Sequence, residues 1–333
     1  MKALFIGGTG LISTAVSALA LERGWDLTLA NRGQHRSDVP EGAKTVTLDV
    51  NDPDAFRAVM EGQYYDVIVN WILFKPEQAE RDADILLGHC GQYIGISSCA
   101  SYERPMRNPV VTESTPQNNV YWQYGRDKRA IEEALFRAYR ETGFPVTIVR
   151  PSLTYGNTQI HLAMGSWQHP WTMVQRILDD RPIVVQGDGS SLWPMTHNTD
   201  FAKGFVGLMG NHKAIGEAFH ITTDELLTWD EITNTVGRVV GKTPKLVHIT
   251  SDQIIRFYPD MEGTLLGDKS SSTIMDNTKI KRFVPDFVCT VSFEEGVRRA
   301  VRFFNEHPEL KTIDEDWNEK LDTLIAADEK FRP

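Results

Sequence analysis

The chain opens on an apolar run, Ala3-Leu4-Phe5-Ile6, that stops at Gly7-Gly8-Thr9-Gly10. Apolar positions then recur at helical spacing, Leu11, Val16, Leu19 and Leu21, until Gly24. This exchange of period repeats along the first 150 residues. Lys2 to Ile6, Trp25 to Ala30, Lys44 to Leu48, Asp66 to Leu73, Tyr93 to Ser97 and Val146 to Val149 read as strands. Leu11 to Arg23, Asp52 to Met60, Pro76 to Cys90 and Trp122 to Glu141 read as helices between them. Strands alternating with helices predict an α/β fold with a doubly wound parallel sheet. The nearly unbroken apolar run ending at Leu73 predicts a strand buried on both faces.

After Pro151 the pattern changes. Aromatics and turn residues become denser, as in Trp167, Trp171, Trp193 and Gly187-Asp188-Gly189-Ser190. Helices are readable at Met173 to Asp180, Thr199 to Leu208, Trp229 to Val240 and Phe293 to Asn305. The expected division is a dinucleotide-binding domain over residues 1–156 and a smaller, substrate-binding C-terminal lobe over 157–333, partly interleaved with the sheet.

Composition narrows the reading. The 333 residues are 41% hydrophobic and 24% charged, with a net charge of −10 and no block of like charges. Nucleic acid and anionic membrane surfaces are therefore poor partners. Three separated cysteines (Cys90, Cys99, Cys289) form neither a disulfide framework nor a metal-ligand cluster, and no metal is expected. No apolar run reaches the roughly 18 residues of a membrane span. A cytoplasmic protein is expected, and a homodimer is compatible with this reading.

The glycine turn carries the first chemistry. Gly7 permits a tight strand-to-helix turn, and Gly10 lets backbone approach a pyrophosphate seated at the helix N-terminus. Thr9, Leu11 and Ile12 complete that cofactor-binding turn, while Ser13 occupies the third position of the spacing in place of glycine. An acid after strand two would select NAD by binding the ribose 2′-hydroxyl. Asn31-Arg32 stands there instead, followed by His35-Arg36. The cofactor is thus NAD or NADP, with the balance toward NADP if Arg32 pairs with a 2′-phosphate; Arg32 and Arg36 read equally as solvated loop charges. Asp49-Val50 either flank the adenine or, for Asp49, cap the next helix.

The second chemistry is Tyr124-Gly125-Arg126-Asp127-Lys128. Tyr124 and Lys128 are spaced i, i+4 and share a helix face. A neighbouring ammonium and a nicotinamide's positive charge are expected to lower the phenol pKa from about 10 toward working pH. Tyr124 is then the acid/base, Lys128 also holds the nicotinamide ribose, and Ser98 donates to the substrate oxygen. Ser97 is the rival for that last role.

Taken together, Gly7-Gly8-Thr9-Gly10, Ser97-Ser98, Tyr124-x-x-x-Lys128, Arg150-Pro151-Ser152-Leu153-Thr154-Tyr155-Gly156 and Gly187-Asp188-Gly189 resemble the extended short-chain dehydrogenases/reductases of the nucleotide-sugar epimerase and dehydratase type. The resemblance implies a Rossmann sheet, a smaller substrate lobe, and Pro151, Ser152 and Leu153 lining the nicotinamide pocket. It covers nearly the whole chain, with departures. Asn70-Trp71 replace the usual small residues at the end of strand four, which narrows the expected cofactor channel. No arginine follows Gly187-Asp188-Gly189, and Leu265-Leu266 precede Gly267-Asp268 where an arginine is usual. Weak or no grip on a sugar-nucleotide diphosphate is therefore expected. Thr196-His197 resembles members related to the chloroplast stem-loop-binding proteins. Tyr155, His161, Trp193 and His197 are candidate substrate-pocket residues; packing is the alternative role for each.

The expected function is an NAD(P)-dependent epimerase- or dehydratase-type oxidoreductase acting on a sugar or sugar nucleotide by hydride transfer. The alternatives are a reductase or dehydrogenase of a non-nucleotide hydroxy or keto compound, and a non-catalytic cofactor- or RNA-binding protein on the same fold.

Overall fold

The computed structural model describes residues 1–33 and 39–330; the expectations for His35 and Arg36 fall outside the described residues. Strands β1 (Lys2–Ile6), β2 (Asp26–Asn31), β3 (Lys44–Thr47), β4 (Val67–Asn70) and β5 (Tyr93–Ile96) alternate with helices α1 (Leu11–Glu22), α2 (Pro53–Met60) and α3 (Pro76–Leu86). A two-residue strand β6 (Val110–Val111) precedes the long helix α4 (Gln123–Thr142) and strand β7 (Val146–Pro151). The second half contributes β8 (Thr154–Tyr155), helix α5 (Thr172–Leu178), β9 (Pro182–Gln186), β10 (Leu192–Trp193), β11 (Thr196–His197), helix α6 (Asn198–Leu208) and β12 (Ala218–Ile221).

Seven strands form the central sheet in the order β12-β7-β5-β4-β1-β2-β3. All its pairings are parallel. This is the doubly wound Rossmann arrangement, and the order reverses between β1 and β4, where the carboxyl ends of the strands open a crevice. The two faces of the sheet carry separate apolar cores. One holds Phe5, Leu29, Val69 and Phe205; the other holds Leu4, Ile68, Phe56 and Leu135.

Strand β12 was not predicted. It comes from the second half, yet pairs Ala218 with Ile148 and Ile221 with Pro151 at the sheet edge. Helix α6 packs on α1. A third core, containing Trp171, Trp193, Trp229 and Phe293, belongs to the C-terminal lobe.

The two largest boundary differences in the first half have local reasons. The strand predicted to Leu73 ends at Asn70, because the Asn70 Oδ1 accepts the Ile72 N–H (2.8 Å) and turns the chain. The helix predicted to Cys90 ends at Leu86, ahead of Gly88 in the left-handed region (φ 81°). Helix α4 matches expectation and is closed by Gly143 (φ 76°).

Candidate active site

The glycine turn lies at the reversal of strand order. Gly7 (φ 91°) and Gly8 (φ 104°) adopt backbone that other residues rarely do, and a Cβ on Gly8 would press on Leu29 Cδ2 at 2.8 Å. Gly10 is different. Its φ is −85°, and a Cβ there would meet only Ser13 Oγ at 3.5 Å. The fold needs glycine at 7 and 8; at 10 it leaves free the space above the start of α1. Ser13 closes the turn, since Gly10 N–H donates to its Oγ (2.8 Å).

Two adjoining pockets share Gly7, Thr9, Ile72 and Phe74 and form one groove across the strand ends. The smaller, about 340 Å³, is lined by Asn31, Arg32, Asp49 and Val50 among others. The larger, about 660 Å³, is lined by Gly10, Leu11, Ile12, Trp71, Ser97, Ser98, Tyr124, Lys128, Pro151, Ser152 and Leu153. Most of the expected cofactor residues thus meet in one groove. Asp49 does not cap α2; its Oδ1 accepts the Asn51 N–H (3.0 Å), and Asp52 caps the helix.

Lys128 is buried and donates to the carbonyls of Leu73 and Ile96, the latter at 2.9 Å. Two of its three protons are thereby used, leaving one for a ligand. Burial pushes its pKa down to about 8, opposed by the charge of Glu132. The Lys128 Nζ stands 5.5 Å from the Tyr124 ring centroid. Burial raises the Tyr124 pKa, and hydrogen bonding with Ser98 draws it back. The expected lowering of the phenol is therefore not produced by the chain alone, because desolvation outweighs its neighbours.

Ser97 and Ser98 separate cleanly. The Ser97 hydroxyl donates to Glu132 Oε1, inside a buried network in which the Arg150 Nη2 meets Glu132 Oε2 at 2.6 Å. The Ser98 hydroxyl faces Tyr124 instead. Glu132 was missed in the sequence, although it lies one turn beyond Lys128 on the same face of α4.

Several expected residues lie elsewhere. Asn70 is fully buried and donates to Asp82 Oδ2 (2.5 Å), so it does not line the groove. Tyr155 packs edge-on against His197 and Phe293 in the core, with its hydroxyl directed to Phe293 O. His197 is buried and caps α6, its Nδ1 lying 2.8 Å from Thr199 Oγ1. Trp193 stacks on Trp229 (6.0 Å). Neither groove pocket is lined by these three side chains, because packing in the lobe absorbs them. His161 is buried behind Trp167, ring to ring at 4.6 Å, and Trp167 does line the groove. Ile72 and Phe74 are exposed apolar side chains on its rim that were not singled out. Their sequence signal was the apolar run continuing past the end of β4. Among the described residues no cluster of His, Cys, Asp and Glu is placed to hold a metal, and no helix is long and apolar enough to cross a membrane.

A doubly wound sheet with a glycine turn at its switch point and a Ser, Tyr and Lys wall opposite defines a dinucleotide-dependent oxidoreductase site. The fit is physical: the start of α1 is open above Gly10, Lys128 keeps one donor, and apolar rings flank the groove. The chain belongs to the NAD dependent epimerase/dehydratase family, whose model matches residues 3–222, and is an NAD-dependent enzyme of the extended short-chain dehydrogenase type. It is 23% identical over 268 residues to the 2′-dehydrokanamycin reductase of Streptomyces kanamyceticus, covering 79% of this chain and 73% of the relative. It is 25% identical over 264 residues to the chloroplast stem-loop binding protein of 41 kDa b of Arabidopsis thaliana, covering 74% of this chain and 65% of the relative. Its fold superimposes on UDP-glucuronic acid 4-epimerase from Bacillus cereus in complex with NAD. The TM-score is 0.73 at 18% identity, covering 92% of this chain and 99% of that one.

Proposed function

We propose that this enzyme moves hydride between a nicotinamide dinucleotide and a sugar derivative, with Tyr124 as acid/base. The observation that carries the reading is the grouping of Ser98, Tyr124 and Lys128 on the groove wall that faces the glycine turn. The bound nicotinamide supplies the hydride acceptor or donor and a positive charge beside the phenol. Gly10 and the start of α1 receive the pyrophosphate. The remaining Lys128 proton goes to a ribose hydroxyl. Ser98 donates to the substrate oxygen while Tyr124 takes or returns its proton. Burial holds the Tyr124 phenol protonated, and the positive charge of an oxidised nicotinamide beside it would draw it toward working range. Arg32 is exposed and lines the adenosine side of the groove, which supports acceptance of NADP. A neighbour named for UDP-glucuronic acid supports a sugar substrate. The net charge of −10 argues against RNA as the ligand.

The test is Tyr124→Phe. Folding and cofactor affinity should persist, while turnover falls by about 10²–10⁴-fold, the scale of a lost general acid/base. Near-normal turnover would sink the assignment. Cofactor choice is tested separately by calorimetry: Arg32→Ala should weaken NADP more than NAD, and a wild type preferring NAD by about tenfold would refute the role of Arg32.

A further inference from the structure

Among the described residues one tryptophan is exposed, Trp167, at 55%. An indole held open to water leaves a large apolar surface that gains by being covered. Its neighbours on the rim, Ile72 and Phe74, line both pockets of the groove and so sit at its middle. Trp167 lines only the larger pocket, together with Ser98 and Tyr124. It enters from the segment 156–171, which joins β8 to α5 in the C-terminal lobe. The ring therefore stands at the end of the groove away from Asn31 and Arg32.

The segment holds that ring in place. Ser166 Oγ donates to Asp314 Oδ2 at 2.7 Å, and the His169 N–H donates to Ser166 Oγ at 3.3 Å. His169 Nδ1 lies 2.8 Å from Thr312 Oγ1, and Trp317 Nε1 donates to Met164 O at 2.8 Å. The chain is thus fastened to the C-terminal segment on both sides of Trp167. Against the indole lies the buried His161 ring, at 4.6 Å between centroids and inclined by 53°. Burial, with Lys269 nearby, pushes the His161 pKa down to about 3, so the support is a neutral ring. A large side chain whose backbone and one side are already fixed loses little freedom when a ligand covers the rest.

What surrounds the ring selects the ligand. Ser98, Tyr124, Ser152 and Thr154 bring hydroxyls to the same pocket. Among the described residues lining it, the one charged side chain is Lys128, already engaged by two carbonyls. An apolar face bordered by hydroxyls fits a molecule with an apolar face and a hydroxyl rim. A pyranose is such a molecule. Its axial C–H bonds present positive hydrogens to the negative face of an indole, while its hydroxyls point outward. An acyclic polyol carries the hydroxyls without a fixed C–H face.

We infer that Trp167 is a specificity-determining residue, the platform on which one C–H face of a pyranose substrate packs while its reacting hydroxyl lies at Ser98 and Tyr124. The inference rests on the groove being the active site of a sugar-oxidising or sugar-reducing enzyme, and it narrows the substrate to sugars in ring form.

The experiment titrates the full-length chain calorimetrically with methyl β-glucoside and with sorbitol, each with and without NAD, and titrates NAD separately. The glucoside should bind about tenfold more tightly than sorbitol, the scale of a well-packed aromatic contact. Trp167→Ala should erase most of that preference and Trp167→Phe should keep part of it, and both should bind NAD as the unaltered chain does. A glucoside bound no better than sorbitol, absence of binding included, would overturn the inference, as would a preference that survives in Trp167→Ala. NAD affinity lost in Trp167→Ala would place the indole on the cofactor and overturn it too. A chain that prefers the glucoside but fails to bind NAD would overturn the cofactor reading and leave the platform standing. A chain that binds NAD without the preference would do the reverse.

Discussion

Two buried arginine–carboxylate pairs flank the Tyr124 and Lys128 wall, and they are built to opposite standards. In the Glu132–Arg150 pair both carboxylate oxygens are engaged, at 2.6 Å through Nη2 and at 2.9 and 3.1 Å through Nε, and Ser97 and Tyr102 are drawn into the network. In the Arg104–Asp268 pair the nearest approach is 3.8 Å and a guanidinium nitrogen is left bare among the described residues. Burial is nearly the same for both arginines, at 4% and 2% exposed. Burial of an arginine therefore does not by itself tell how fully its donors are satisfied. The closed network ties the end of β5 to α4 and β7 beneath the groove. The open one leaves a buried guanidinium nitrogen without a partner among the described residues.

The largest expected effect breaks the closed pair. Glu132→Ala strands Arg150 and should cost about 3–5 kcal/mol of stability, the usual penalty for removing one partner of a buried pair. Denaturant unfolding reads this directly. Adding Arg150→Met should recover much of the loss, because no uncompensated charge then remains. A cost below about 1 kcal/mol for Glu132→Ala would erase the contrast between the two pairs.

The next effect is a pH dependence confined to the open pair. Burial raises the Asp268 pKa from 3.8 to about 6, opposed by Arg104 and Lys269. The folded state then holds a proton that the unfolded chain has already released between those values. Burying this carboxylate costs stability once it ionises, so the cost is absent below about pH 4 and complete above about pH 6. Wild-type stability, measured against Asp268→Asn, should fall as pH rises through this window. A difference that is flat from pH 4 to 7 would mean Asp268 is ordinarily solvated.

The smallest effect is the stability of Arg104→Met. Two long hydrogen bonds worth about 1 kcal/mol each are lost, while the cost of an uncompensated buried charge is relieved. A net change within about 1 kcal/mol is expected by the same unfolding measurement. A loss comparable with Glu132→Ala would show that the Arg104 pair is scaffold too.

Much of the fold was legible because local pattern and tertiary role coincide in a parallel sheet. Val67–Asn70 and Tyr93–Ile96 are buried at every position, so they read as short apolar runs. Strand β12 was not legible. His220 interrupts Ala218–Ile221, and its place depends on pairing with β7 some 70 residues earlier. In the site, the glycine turn and the Tyr124–Lys128 spacing were readable because each lies within a single turn or helix. The choice between Ser97 and Ser98 was not, since it depends on Glu132 more than 30 residues away. Tyr155, Trp193 and His197 carry the same chemistry as pocket residues; only their packing against Phe293, Trp229 and Asn157 marks them as interior.

The sequence by itself determined the doubly wound sheet, the glycine turn at its switch point and the shared helix face of Tyr124 and Lys128, because period, glycine conformation and i, i+4 spacing are short-range properties. Tertiary structure decided which serine faces Tyr124, which aromatics are core, and that Arg104 and Asp268 meet near Tyr124. Charge balance in a buried place depends on groups that the chain brings together from more than 100 residues apart, and no local pattern encodes that sum.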